Sequence, residues 1–197
     1  MKLASVLTPL SEENLALAAQ TGVESITIRY QGPTLEDWKP AVDLIRSYGM
    51  EIAAVEDAIA MENIIRGSEG RDDEIDGIIA LLHIMKELAI PVLCYNFMAG
   101  TDWVRTKTDV LDRAGAKVTQ FNLSEIDLAV SLDDASKQLE HEDLEAAALW
   151  ENLEYFLRRV LPVAEQLEID LAMHPDDPPL EVFMGRARIM NCVEGFK

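Results

Sequence analysis

Short apolar runs alternate with stretches of helical periodicity along most of this chain, and that alternation restricts its fold more than any other feature. Leu3 to Leu7 reads as a first strand. Ser11 can cap the helix that follows, which carries Leu15, Ala18 and Ala19 and stops near Gly22. Ser25 to Ile28 is a second strand with β-branched bias. Thr34 caps a second helix with Leu35, Trp38, Val42 and Ile45 on one face, ending at Gly49. Ile52 to Val55 makes a third strand. A helix over residues 73–88 then sets Ile75, Ile78, Ile79, Leu82 and Met85 on one stripe. Ile90 to Cys94 is a fourth strand. A helix over 142–166 presents Leu149, Leu153, Phe156, Leu157, Val160, Leu161 and Ala164 at helical spacing, with a kink at Pro162. A fifth strand from Ile169 leads to His174.

Strands that are apolar on both faces and separated by helices pair in parallel through βαβ units. The fold class is therefore α/β with a parallel sheet, and the expected architecture is a partial (β/α)8 TIM barrel of about five β/α units, with residues 1–197 as a single, incomplete domain. Residues 99–141, between the fourth strand and its helix, are too many for an ordinary connection. Val104 to Leu111 and Lys117 to Phe121, flanking Asp112 to Gly115, read as a β-hairpin over the barrel mouth. Ser124 to Leu139 beyond it is acidic and weakly helical. Insertions of this kind serve as lids or as surface excursions.

Composition excludes several functions. A formal charge of −19 would repel phosphate backbones and anionic lipid, so neither nucleic acid nor membrane is an expected partner. An anionic substrate would need a local positive centre, such as a metal ion or a placed arginine. Cys94 and Cys192 make no disulfide framework and read as reduced thiols. With neither a signal-peptide pattern nor an apolar run of spanning length, the expected location is the cytoplasm.

The segment His174-Pro-Asp-Asp-Pro-Pro179 combines an imidazole and two carboxylates with three prolines. Pro175 keeps His174 extended, and Pro178 and Pro179 fix their own φ angles, so the cluster loses little entropy on ordering. Imidazole is the commonest protein metal ligand. The alternative is a turn in which Asp176 and Asp177 bond nearby amides and His174 is merely exposed.

The first polar residues after the other apolar runs are Arg29, Glu56 and Asn96. In a (β/α) barrel such positions open on the carboxyl-terminal face with His174. With Asp176 and Asp177 they make a polar pocket for a hydroxylated, anionic small molecule. Any one of them alone could be a cap. Arg105, at the start of the hairpin, can reach over that mouth to bind a carboxylate bidentately, or can be a solvated strand residue. His83 reads as a packed helix residue, and His141 lies in a solvated acidic stretch. The chain contains no Gly-rich phosphate loop, nucleophile elbow, paired CxxC or HExxH.

Several segments resemble mannonate dehydratases. They are Cys94-Tyr-Asn-Phe-Met98, Asp102-Trp-Val-Arg-Thr106, Glu151-Asn-Leu-Glu-Tyr-Phe-Leu157 and Leu161-Pro-Val-Ala-Glu165, running into His174-Pro-Asp-Asp-Pro-Pro179. Val55-Glu56, Gly67 to Asp72 and Arg188-Ile-Met fit as well. The similarity is collinear from about Arg29 onward and looser up to Thr21. It implies a metal-dependent sugar-acid lyase on a xylose-isomerase-like barrel. Such an enzyme converts D-mannonate to 2-keto-3-deoxy-D-gluconate in hexuronate (glucuronate) breakdown, with Mn²⁺ or Fe²⁺.

The resemblance also implies that His174 is a metal ligand and places Asn96 and Arg105 near the substrate. The family's other ligands (a cysteine, a second histidine and an aspartate) and its acid–base groups are expected beyond Lys197. Cys192 follows His174 too closely to be that cysteine. The expectation is thus the N-terminal part of a longer enzyme, with association to a second half, a homo-oligomer or a degenerate remnant as alternatives. Other readings of function are a metal-dependent sugar isomerase or epimerase on the same barrel, and a non-catalytic half-barrel that binds a partner.

Overall fold

A computed structural model describes residues 2–57, 59–100, 103–132 and 141–197. It contains two compact units. The first comprises residues 1–64, 68–95 and 154–173, and the second residues 65–67, 96–153 and 174–197.

The first unit is built on a parallel sheet whose strands are β1 (Ala4–Val6), β2 (Ser25–Ile28), β3 (Glu51–Glu56), β4 (Val92–Tyr95) and β9 (Asp170–Met173), in that spatial order. Helix α1 (Glu12–Gln20) joins β1 to β2, and α2 (Leu35–Ser47) joins β2 to β3. The short α3 (Glu62–Arg66) and the longer α4 (Arg71–Glu87) lie between β3 and β4, and α5 (Ala146–Leu167) precedes β9. The parallel α/β arrangement is the one the apolar runs predict.

Local chemistry sets the boundaries. Ser11 Oγ accepts from the Asn14 N–H at 3.2 Å to start α1. A capping box starts α2: the Thr34 N–H donates to the Asp37 carboxylate at 2.9 Å, and hydrogen bonds from Thr34 hold that carboxyl below its ordinary range. Leu15, Ile26, Trp38, Ile45, Val55, Ile75, Leu82 and Phe156 are fully buried in the core. Each such side chain stabilises the fold by about 2 kcal/mol through loss of apolar contact with water. On α4, Leu81 takes the buried place expected of Ile79, which is only half-buried.

The second unit holds short antiparallel pairs. β5 (Val104–Arg105) pairs with β8 (Val130–Ser131), and β6 (Lys107–Leu111) pairs with β7 (Lys117–Gln120). The continuous strand expected over Val104 to Leu111 is therefore divided at Thr106, where the chain changes partner. The Thr106 N–H donates to Gln120 O at 2.8 Å, and its hydroxyl accepts from the Asn122 N–H at 3.0 Å. β10 (Val182–Phe183) turns directly into β11 (Arg186–Ala187) through Met184 and Gly185, at φ 53° and 84°. Positive φ at both positions is the signature of a type I′ turn. A Cβ on Gly185 would lie 2.5 Å from Glu142 O, so glycine is needed there for space as well as for backbone.

The last long helix starts four residues later than its periodicity suggests. Residues 142–144 are drawn into bonding with β11 and the turn before it instead: Glu142 N–H to Met184 O at 3.1 Å, Leu144 N–H to Gly185 O at 3.2 Å and Ala187 N–H to Leu144 O at 2.8 Å. Of the acidic stretch expected to be weakly helical over 124–139, residues 123–128 form 3₁₀ turns and Val130–Ser131 is β8. Residues 133–140 lie outside those described. Among the described residues, no helix is long and apolar enough to cross a membrane.

Candidate functional site

His174 follows the carboxyl end of β9. Its Nδ1 lies 2.6 Å from the Pro175 carbonyl oxygen, which can only accept, so Nδ1 is the donor in this contact. Fixing one ring nitrogen on a backbone carbonyl is how proteins orient an imidazole whose other nitrogen binds a ligand.

Asp176 anchors this segment from inside. Its carboxylate accepts from the Met190 N–H at 2.6 Å, and its own N–H donates to Met190 O at 3.1 Å. Oδ1 lies 3.7 Å from Arg188 Nη1, and both side chains are 1% exposed. Burial raises the Asp176 carboxyl above its ordinary value, against the opposing pull of the Met190 amide, Arg188 and His174. Arg188 also lies over the Phe183 ring, 5.5 Å from its centroid.

Asp177 is placed differently. Its Oδ2 accepts from Arg105 Nη2 at 2.7 Å, and its N–H donates to the Met98 sulfur at 3.2 Å. Arg105 is held further by Nε on Thr119 Oγ1 at 3.2 Å and Nη1 on Val104 O at 2.8 Å. Asn96, just after β4, turns its Oδ1 back to the Met98 N–H at 3.0 Å. The second unit thus brings Arg105 and Asp177 into contact and sets Asp176 beside His174.

Arg29 and Glu56 belong to the first unit. Arg29 Nη1 lies 3.3 Å from Asp57 Oδ2, and Asp57 adopts φ 72°, an uncommon backbone state for an aspartate. Glu56 Oε1 accepts from the Cys94 thiol at 3.6 Å. Burial, then the Glu56 charge, pushes that thiol up to about 11, which keeps it protonated near neutrality.

A catalytic transition-metal site takes three or more protein donors. Among the described residues, no three His, Cys, Asp or Glu side chains gather into such a group. The imidazole is oriented for the task, but the donors present here do not by themselves fit a resident metal ion.

A family model described as "D-mannonate dehydratase (UxuA)" matches residues 12–197. The chain belongs to the mannonate dehydratase family. It is 31% identical over 189 residues to the mannonate dehydratase of Oceanobacillus iheyensis, covering 85% of this chain and 54% of that protein. The Streptococcus pneumoniae mannonate dehydratase is 29% identical over 205 residues, covering 93% of this chain and 55% of the relative. The chain therefore spans about half the length of the curated relatives it matches. The crystal structure of mannonate dehydratase from Streptococcus suis serotype 2 superposes with a TM-score of 0.81 at 28% identity, covering 99% of this chain and 59% of that one. A D-psicose 3-epimerase from Clostridium cellulolyticum H10 gives a TM-score of 0.53 at 12% identity over 89% of this chain and 52% of its own, a likeness of fold alone.

Elsewhere in the second unit of this mannonate dehydratase-family chain, an ion-pair cluster joins residues that no local sequence pattern links. Glu142 receives Arg66 on both oxygens at 2.9 Å, while Arg186 adds Nε at 3.0 Å and Nη2 at 2.9 Å. The Arg66 hydrogen bonds, helped by the charges of both guanidinium groups, hold the Glu142 carboxyl below its ordinary range, against the opposing effect of burial. Arg186 and Arg188 alternate on one extended segment, a pattern visible in the sequence. Their carboxylate partners are distant in it, and nothing local points to them.

Proposed function

We propose that this chain supplies part of the active site of a hydro-lyase that converts D-mannonate to 2-keto-3-deoxy-D-gluconate in cytoplasmic hexuronate catabolism. The match to the mannonate dehydratase family over residues 12–197 carries this reading. The parallel sheet then represents five consecutive strands of a (β/α)8 barrel, and the paired strands β6 and β7 belong to an insertion after the fourth of them. His174 Nε2 is one donor toward a divalent ion, Mn²⁺ or Fe²⁺, whose other donors come from outside the described residues.

The reaction removes the proton α to the carboxylate and expels the neighbouring hydroxyl as water, after which the enol tautomerises to the 2-keto acid. Negative charge accumulates on the carboxylate as the α-proton leaves. A guanidinium fixed against that carboxylate stabilises the charge without reorganising at the moment of reaction. Arg105, already oriented by Thr119 and Val104, is the residue suited to it. Asn96 offers an amide toward the sugar hydroxyls. Arg29 and Glu56 keep the substrate-contact reading given by their positions at strand ends in the sheet. Asp176 works inside the fold, holding the segment that carries His174.

A chimera in which residues 12–197 replace the matched segment of the Streptococcus suis enzyme tests this. With D-mannonate and Mn²⁺ it should release water and the keto-deoxy acid. Arg105→Gln should lower kcat/KM by roughly two orders of magnitude, the scale of losing one fixed charge-stabilising donor. His174→Ala should weaken Mn²⁺ uptake in equilibrium dialysis. A product that conserves the water would identify an isomerase or epimerase and overturn the proposal.

A further inference from the structure

We propose that the Arg105 guanidinium is a carboxylate-binding site whose resident occupant is Asp177, and that a ligand carboxylate enters by displacing that side chain. The proposal rests on the reading above that Arg105 receives the carboxylate of a sugar acid, and assigns Asp177 the part of an internal competitor.

The geometry separates what fixes Arg105 from what neutralises it. Nε and Nη1 are tied to neutral oxygens, Thr119 Oγ1 at 3.2 Å and Val104 O at 2.8 Å. These contacts orient the planar group without satisfying its charge. Among the described residues, the carboxylate paired with it is Asp177, through one oxygen on Nη2 at 2.7 Å. A guanidinium has five N–H donors, and three are engaged here, so an N–H remains on each of Nη1 and Nη2. A free carboxylate can take both ends of that fork, where Asp177 takes one.

The two neighbouring aspartates are built for opposite tasks. Asp176 is sealed between the Met190 amide and Arg188 at 1% exposure. Asp177 is held at its backbone by the Met98 sulfur, but its carboxylate is 37% exposed, opposite an Arg105 side chain that is 22% exposed. A half-exposed pair of this kind adds little net stability. Exchanging one carboxylate for another therefore costs little, and the guanidinium is never left without an anion. In a chain of net charge −19, the arrangement also admits a carboxylate only where it can take the place of another.

Binding of D-mannonate, D-mannitol and propionate to the purified chain is to be measured by calorimetry at low salt. Asp177→Ala should bind D-mannonate at least tenfold more tightly than the unmodified chain, with no gain for the neutral mannitol. Asp143→Asn removes one charge at an 87% exposed position whose ionic partner is His141, and should behave like the unmodified chain. Adding Arg105→Gln to Asp177→Ala should erase the gain. Circular dichroism checks folding, and Asp177→Asn replaces the alanine variant if that one fails to fold. The proposal is overturned if Asp177→Ala gains no more than Asp143→Asn, or if the gain survives Arg105→Gln. A gain equal for propionate and D-mannonate would uphold the exchange while removing the sugar-acid reading.

Discussion

The Arg188 guanidinium and the Asp176 carboxylate face each other across 3.7 Å, each with 1% of its side chain exposed, on segments twelve positions apart. This buried pair holds the His174 segment to the C-terminal part of the second unit. Removing one partner strands the other. Arg188→Met should destabilise the chain by about 3 kcal/mol in urea unfolding. Part of that loss is relieved as Asp176, already raised by burial, takes up a proton. Arg188→Met with Asp176→Asn should recover a large share, and a single variant costing under about 1 kcal/mol would show that the pair is not a structural anchor.

Glu142 links stability to pH. Its folded carboxyl lies below its ordinary value of 4.5, so in that range the unfolded chain binds more protons than the folded one. The stabilisation by Arg66 and Arg186 is therefore complete above the ordinary value and is lost as pH falls through the lower, folded one. Glu142→Gln should lower stability near neutrality and flatten its decline on acidification below pH 4.5, read from unfolding midpoints in a pH series. An unchanged slope would remove Glu142 from the acid response.

The two thiols should differ sharply. Cys192 is exposed, whereas Cys94 is half-buried beside Glu56 with its thiol pushed up to about 11. At pH 8 a disulfide reagent should modify one thiol at least ~10-fold faster than the other, because the thiolate is the reacting form. Cys192→Ser should abolish the fast phase. Persistence of that phase would mean that Cys94 is accessible.

Gly185→Ala combines a positive φ with a Cβ placed 2.5 Å from Glu142 O. The expected loss is about 2 kcal/mol in thermal or urea unfolding. Gly49→Ala shares the positive φ but meets open space, so it should cost less. Equal losses would show that crowding against Glu142 contributes nothing.

The elements legible in the sequence were those in which one period governs a whole segment. β2 coincides with its apolar run, and α2 begins at the Thr34 cap because capping and periodicity agree there. α3 was missed, since five residues carry too little pattern to stand out. The start of α5 was misplaced because 142–144 bond to a hairpin some forty residues later, a partner that no local window contains. The Val104 strand divides at Thr106 for the same kind of reason. At the site, Arg105 and His174 could be singled out from residue type and position. The contrast between Asp176 and Asp177 could not, because it depends on Arg188, Met190 and Met98.

Spatial order in the parallel sheet matches chain order, and β1 to β4 are contained within the first 95 residues. A chain leaving the ribosome can therefore assemble four neighbouring strands as each emerges, every pairing closing only a short loop. β9 follows these four and must close the long excursion between Tyr95 and Asp170 before it docks on β4. That step carries the greatest loop-closure entropy among these four pairings, so the β4–β9 contact should be the slowest of them to form.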